Sequence, residues 1–107
     1  MDLNLKGKIA LVTGSGKKSG IGYAISKKFA SQGCHIIIAD YGSEKGLDTD
    51  VKTGSMDEMI VIGEELHKEY GVETLAVNVD VTNMSAILDM GSVIQEKFDR
   101  VDILCNN

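Results

Sequence analysis

Four short apolar runs alternate along the chain with three segments of helical periodicity, and this alternation restricts the fold more than any other feature. The runs are Lys8–Thr13, Cys34–Asp40, Thr74–Val79 and Val101–Cys105. Unbroken apolar runs of this length are typical of strands buried on both faces. Such strands, when they alternate with amphipathic helices, predict a parallel sheet with crossover helices.

The intervening helices are predicted from apolar stripes and end signals. The first helix has one stripe, formed by Ile21, Ala24, Ile25 and Phe29, and a left-handed stop at Gly33. The second follows the capping-box spacing of Ser55 and Glu58 and ends at Tyr70, before Gly71. Thr82 can cap the third helix. Its expected inner stripe consists of Met84, Ile87, Leu88, Ile94 and Phe98.

The predicted order is therefore β-α-β-α-β-α-β. Right-handed crossovers make this the first half of a doubly wound α/β sheet with strand order 3-2-1-4. In such sheets ligands bind at the carboxyl ends of the strands, near the point where the strand order reverses. That point lies between strands 1 and 4 of the prediction.

Composition excludes several classes of protein. The chain has 107 residues, 43% hydrophobic, with a formal net charge of −5. This is ordinary for a globular protein, and an acidic chain is a poor partner for nucleic acid. We expect no membrane span and no secretory signal, and hence a cytoplasmic protein. Cys34 and Cys105 are expected to be reduced thiols, and with His35 and His67 they do not form a spaced metal site.

A glycine-rich stretch, Thr13–Gly22, lies between the first predicted strand and the first predicted helix. Glycines there allow the backbone to approach a pyrophosphate, and the helix N-terminus offers N–H groups and a positive dipole to it. The alternative, a P-loop, fails because Lys18 occupies the position after Lys17 where that motif requires Ser or Thr.

The second predicted strand ends in an acid, Asp40. A carboxylate at that position can accept both hydroxyls of an adenosine ribose and repel a 2′-phosphate, which favours NAD over NADP. Lys17 and Lys18 oppose this preference, since flexible cations in the loop could reach a 2′-phosphate. A solvated loop acid with no ligand is the simpler alternative for Asp40.

Together, several short motifs resemble the short-chain dehydrogenase/reductase family over the whole chain. They are Thr13-Gly14, Gly20-Ile21-Gly22, Asp40, Asp80-Val81 and Ile103–Asn107. The family has TGxxxGxG after its first strand and NNAG after its fourth. The resemblance implies an NAD(P)-binding Rossmann domain.

The resemblance also implies which residues bind the cofactor. Those expected to line it in the glycine loop are Gly14, Ser15, Gly20, Ile21 and Gly22. Asp40 and Tyr41 would flank the adenosine ribose, and Asp80 and Val81 would meet the adenine. Asn106 would lie near the ribose on the nicotinamide side.

The chain departs from the family pattern in two places. Five residues separate Gly14 from Gly20, two more than in the family motif, so the contacts of Gly16, Lys17 and Lys18 are open. The stretch from Gly42 to Gly54 is longer than the usual link. It is either a tolerated surface insertion or a segment that covers the adenine end or a subunit contact.

The family's catalytic Ser, Tyr and Lys follow NNAG, and its Tyr and Lys have the spacing YxxxK. Two segments here have that spacing, Tyr23 to Lys27 and Tyr41 to Lys45. Both lie on the phosphate or adenosine side of the expected cofactor, and we assign no catalytic role to either. We therefore expect residues 1–107 to be one partial domain that binds the cofactor and shows no turnover alone.

For the complete protein, the resemblance implies an oxidoreductase that transfers hydride between nicotinamide and a small-molecule alcohol or carbonyl, as a homo-oligomer. The alternatives are a non-catalytic dinucleotide-binding or regulatory module and an inactive remnant.

Overall fold

A computed structural model of the chain describes residues 5–16, 20–40, 56–79 and 83–106. Four strands and three helices alternate in this part of the chain. They are β1 (Ile9–Thr13), α1 (Ile21–Ser31), β2 (His35–Asp40), α2 (Met56–Tyr70), β3 (Thr74–Asn78), α3 (Met84–Phe98) and β4 (Ile103–Cys105). The predicted order of elements is confirmed.

The four strands form one parallel sheet in the order β3-β2-β1-β4. In register, Ala10 lies between Ile36 of β2 and Ile103 of β4. This is the predicted strand order, so the doubly wound, Rossmann-type class is confirmed. The order places the carboxyl ends of β1 and β4 side by side, at the point where a ligand is expected.

Alternate residues of each strand face opposite sides of the sheet. Ala10, Ile36 and Ile38 belong to a core with residues of α1 and α2, among them Ala30, Met59 and Ile62.

On the other side, Leu11, Ile37 and Val77 pack with Ile94 and Phe98 of α3. In the described part of the chain, two helices therefore cover one face of the sheet and one helix covers the other.

The apolar stripe predicted for α1 is wrong in part. Ile21 is 72% exposed, and the buried residues of the helix are Gly22, Ser26 and Ala30. These small side chains let the helix lie close to the sheet, and the Ser26 hydroxyl donates to Gly22 O at 2.9 Å. A stripe of apolar residues in the sequence does not indicate a helix–sheet contact that small residues make.

The N-cap and part of the inner stripe predicted for α3 are also wrong. The N-cap is Asn83, whose side chain accepts a hydrogen bond from the Ala86 amide at 3.2 Å, and not Thr82, which lies outside the described residues. Met84 and Leu88 are exposed. The stripe that reaches the sheet consists of Ile87, Met90, Ile94 and Phe98.

The predicted ends of the first two helices are confirmed, since Gly33 and Gly71 both have the left-handed backbone expected there. Ser55, the predicted cap of α2, lies outside the described residues. No helix in the described ranges is long and apolar enough to cross a membrane.

Asp102 joins β4 to β1 at the end of the sheet opposite the expected ligand. Its Oδ2 accepts the Ile9 amide at 2.9 Å, and Arg100 Nε lies 3.1 Å from Oδ1 and 3.0 Å from Oδ2. The Ile9 amide foremost, and then Arg100, hold the pKa of the Asp102 carboxyl below its ordinary value. The ionised carboxylate is therefore part of the folded structure.

Candidate functional site

The glycine loop begins directly after β1 with a left-handed residue. Gly14 has a φ of 64°, which a residue with a side chain adopts only at a cost. The next residue, Ser15, is fully buried, and its hydroxyl donates to Val12 O at 2.6 Å. Its amide donates to Ala39 O at 3.4 Å. The loop is thus turned across the end of β2.

At the end of β2, the loop meets Asp40. The Gly16 amide donates to Asp40 Oδ2 at 2.9 Å. Asp40 O in turn accepts the amide of Val79, the residue after β3, at 2.9 Å. The ends of β1, β2 and β3 therefore meet around Asp40.

The loop leads into α1, whose N-terminus is oriented toward the same edge of the sheet. Gly20 is the N-cap, with φ −94° and ψ 161°, and among the described residues no side chain caps the helix. The first turn contains no acidic residue. An N-terminus of this kind has amide groups and a positive dipole available to an anion.

The end of β4 is joined to the end of β1 by a hydroxyl. Thr13 Oγ1 lies 3.4 Å from Cys105 O and 3.3 Å from Asn106 Oδ1. Asn106, predicted to lie on the nicotinamide side, is thus at the point where the strand order reverses. The motif contains Thr13, but the sequence pattern does not indicate this polar link.

The structure brings most of the predicted site residues to one edge of the sheet. Those in the described ranges are Gly14, Ser15, Gly20, Ile21, Gly22, Asp40 and Asn106. Ser15 and Gly22 are buried, so their role toward a ligand would be to present backbone atoms and to let the ligand come close to the chain. The remaining predicted residues, Tyr41, Asp80 and Val81, lie outside the described residues.

Of the two segments with YxxxK spacing, only that of Tyr23 and Lys27 is described. Tyr23 packs against the core under α1 and α2, and Lys27 Nζ lies 5.6 Å from the centre of its ring. Both are therefore involved in packing on α1.

Within the described ranges, no group of three or more His, Cys, Asp or Glu side chains could hold a metal ion. Cys34 is buried and Cys105 half-buried, and both are free thiols.

A family model described as short chain dehydrogenase matches residues 8–107. The chain belongs to this family. It is 34% identical over 106 residues to the 12alpha-hydroxysteroid dehydrogenase of Clostridium sp., covering 94% of this chain and 36% of that protein. It is 31% identical over 106 residues to the cyclohexanol dehydrogenase of Rhodococcus sp., covering 98% of this chain and 38% of that protein.

Among solved structures, the L-sorbose reductase of Gluconobacter frateurii is similar, with a TM-score of 0.82 at 31% identity. The match covers 100% of this chain and 35% of that one. The chain spans about a third of the length of the curated relatives it matches.

Proposed function

We propose that this chain is the dinucleotide-binding part of an oxidoreductase that transfers hydride between a nicotinamide cofactor and a small-molecule alcohol or carbonyl, with NAD as the preferred cofactor. The observation that carries the proposal is the meeting of three features at one edge of the sheet. These are a glycine loop, a helix N-terminus whose N-cap is a glycine, and the carboxylate of Asp40, which lies 2.9 Å from the Gly16 amide.

The groups at this edge match the parts of a dinucleotide in chemistry. The α1 N-terminus, with no acidic residue in its first turn, suits a pyrophosphate. Asp40 suits the two hydroxyls of the adenosine ribose, because a carboxylate accepts hydrogen bonds at both oxygens. Asn106 would face the nicotinamide side. When bound, the nicotinamide supplies the hydride chemistry, and this chain's residues bind and orient it.

The relatives support the reaction class. Two of them are named as dehydrogenases of a hydroxysteroid and of cyclohexanol, and the L-sorbose reductase was solved with NADPH and L-sorbose. The preference for NAD rests on Asp40 of this chain. Its negative charge next to the ribose would repel the 2′-phosphate of NADP.

Calorimetric titration of the protein at its natural length with NAD⁺ and NADP⁺ tests the binding. We expect NAD⁺ to bind more tightly than NADP⁺, and Asp40→Ala to weaken NAD⁺ binding while leaving or improving NADP⁺ binding. Asp89→Asn, at an exposed position on α3, is the matched control and should change neither affinity. Binding of neither dinucleotide would contradict the proposal, and tighter binding of NADP⁺ would contradict the preference.

A steady-state assay with NAD⁺ and a panel of secondary alcohols tests the reaction. We expect turnover from the natural-length protein and binding without turnover from residues 1–107 alone. A natural-length protein that binds NAD⁺ and turns over no alcohol or carbonyl would favour a regulatory dinucleotide-binding module.

A further inference from the structure

Gly16 is in contact with the acid on which the cofactor preference rests. It is the third residue of the loop that follows β1, and its amide donates to Asp40 Oδ2 at 2.9 Å across a separation of 24 residues. A carboxylate that receives a backbone N–H is held in one orientation by it. The loop therefore sets where the Asp40 carboxylate points.

The space around Gly16 leaves no room for a side chain. A Cβ at this position would lie 2.8 Å from Asp40 Oδ2, 2.9 Å from Asp40 Cβ and 2.8 Å from Met59 Cγ. Rotation of the carboxylate alone cannot relieve this, because Asp40 Cβ is fixed to the β2 backbone. Met59 is fully buried in the first turns of α2, so it has little freedom to withdraw.

We propose that Gly16 is a positioning residue for cofactor selection: with Met59 behind it, it holds the Asp40 carboxylate in the orientation that accepts the adenosine ribose and rejects a 2′-phosphate. This inference rests on the proposed function, since it concerns how Asp40 performs the role given to it there. It adds that the preference for NAD depends on α2 and the glycine loop as well as on the acid.

The bond from Gly16 occupies one acceptor site of the Asp40 carboxylate, and an ionised carboxylate has about four such sites. Pre-orientation then lowers the ordering cost of binding. A Cβ at Gly16 would push the carboxylate away, and both the attraction to the ribose and the repulsion of a 2′-phosphate would weaken together.

The test is a double-mutant cycle on the natural-length protein, with Kd for NAD⁺ and for NADP⁺ measured by calorimetry. We expect Gly16→Ala to lower the ratio of the NADP⁺ Kd to the NAD⁺ Kd by roughly two- to tenfold, the range of one hydrogen bond. In the Asp40→Ala background, the same substitution should leave the ratio unchanged within about a factor of two, because partners in one interaction are not additive. A purely structural role would weaken both dinucleotides alike.

The matched control is Gly91→Ala. Gly91 lies on α3, where a Cβ would meet nothing within 4 Å, so the same change of residue should leave the ratio as it is. An unchanged ratio in Gly16→Ala, or an equal fall with and without Asp40, would overturn the inference while leaving the proposed function intact. A wild-type protein that binds neither dinucleotide would overturn both.

A second measurement does not depend on the folding of Gly16→Ala. In ¹H–¹⁵N spectra of the ligand-free protein, the amide proton resonance of Gly16 should move upfield in Asp40→Ala, because its hydrogen-bond acceptor is removed, whereas that of Gly91 should stay in place. A Gly16 resonance that is the same in the two proteins would show that the bond is absent in solution, and the inference would fail.

Discussion

The face of the sheet covered by α1 and α2 and the face covered by α3 are built from the same strands, yet they are buried to different degrees. On the first face, Met59 and Ile62 of α2 have no exposed surface. On the second, Leu104 of β4, whose register partner Leu11 is buried, is 66% exposed in the described structure. The contrast follows from the connections and not from the hydrophobicity of the segments.

The connections differ in the distance between the strands that they join. The helix α1 joins neighbouring strands β1 and β2, and α2 joins neighbouring strands β2 and β3, so each lies over its own pair. The helix α3 joins β3 at one edge of the sheet to β4 at the other, and right-handed crossovers place it on the opposite face. One helix then spans a surface that two helices cover on the other side. An apolar side chain on α3 is therefore a weaker indicator of burial than one on α2.

The largest effect is expected from Ile62→Ala on α2. The side chain is fully buried, and its removal leaves a cavity, so the free energy of unfolding should fall by about 2–5 kcal/mol. Urea denaturation measures the loss. Ile60→Ala on the same helix, where the side chain is 43% exposed, is the control and should cost much less. Equal losses at the two positions would break the contrast between buried and exposed sides of α2.

A smaller effect, seen in the pH dependence, is expected from Asp102→Asn at the start of β4. The pKa of Asp102 is lowered in the folded state, so its contribution is fully present above the ordinary value of 3.8 and is lost as the pH falls toward the folded pKa. In that acid range the unfolded state takes up the proton first. The carboxamide cannot ionise, so the variant should lose less stability on acidification than the wild type.

Thermal unfolding of both proteins between neutral pH and pH 3 measures this difference. Asp89→Asn, at an exposed site on α3, serves as the control. If the wild type and Asp102→Asn lost the same stability on acidification, the role of the ionised carboxylate would be contradicted.

The next effect concerns the start of α3. Asn83→Ala removes the side chain that accepts the Ala86 amide, so the free energy of unfolding should fall by about 1 kcal/mol. Chemical denaturation measures the loss, with Ser85→Ala, at an exposed position two residues further along the chain, as the control. An unchanged free energy of unfolding would mean that the stability of α3 does not depend on its N-cap.

The smallest effect is expected from Leu88→Gln on the outward side of α3. An exposed side chain away from special features should change the free energy of unfolding by no more than about 0.5 kcal/mol. Denaturation of the natural-length protein measures it, alongside Ile94→Ala at a buried position of the same helix. A cost near that of Ile94→Ala would show that another part of the protein covers α3, and the contrast between the faces would then belong to residues 1–107 only.

Most of the framework of the site could be predicted from local sequence. The positions of Gly14 and Asp40 follow from the ends of two apolar runs, and parallel strands bring such ends to one edge. The contact between Gly16 and Met59 could not be predicted, because it depends on how α2 lies against the loop. The pattern also does not predict the exposed Ile21 and the buried Ser26, since α1 packs through small residues that are not part of an apolar stripe.

By itself, the sequence determined the strands, the helices, their order and the glycine loop, because these depend on period, run length and backbone freedom over a few residues. The tertiary structure alone decided that Met84 and Leu88 face outward, that Thr13 bonds to the end of β4, and that Asp40 is held by Gly16. The two hydrogen bonds join elements distant in the chain, and the exposure of Met84 and Leu88 depends on what lies over α3. The burial of a side chain and the partner of a carboxylate are set by the residues that pack against them. Those residues are distant in the sequence, so a pattern over a few neighbouring residues does not predict them.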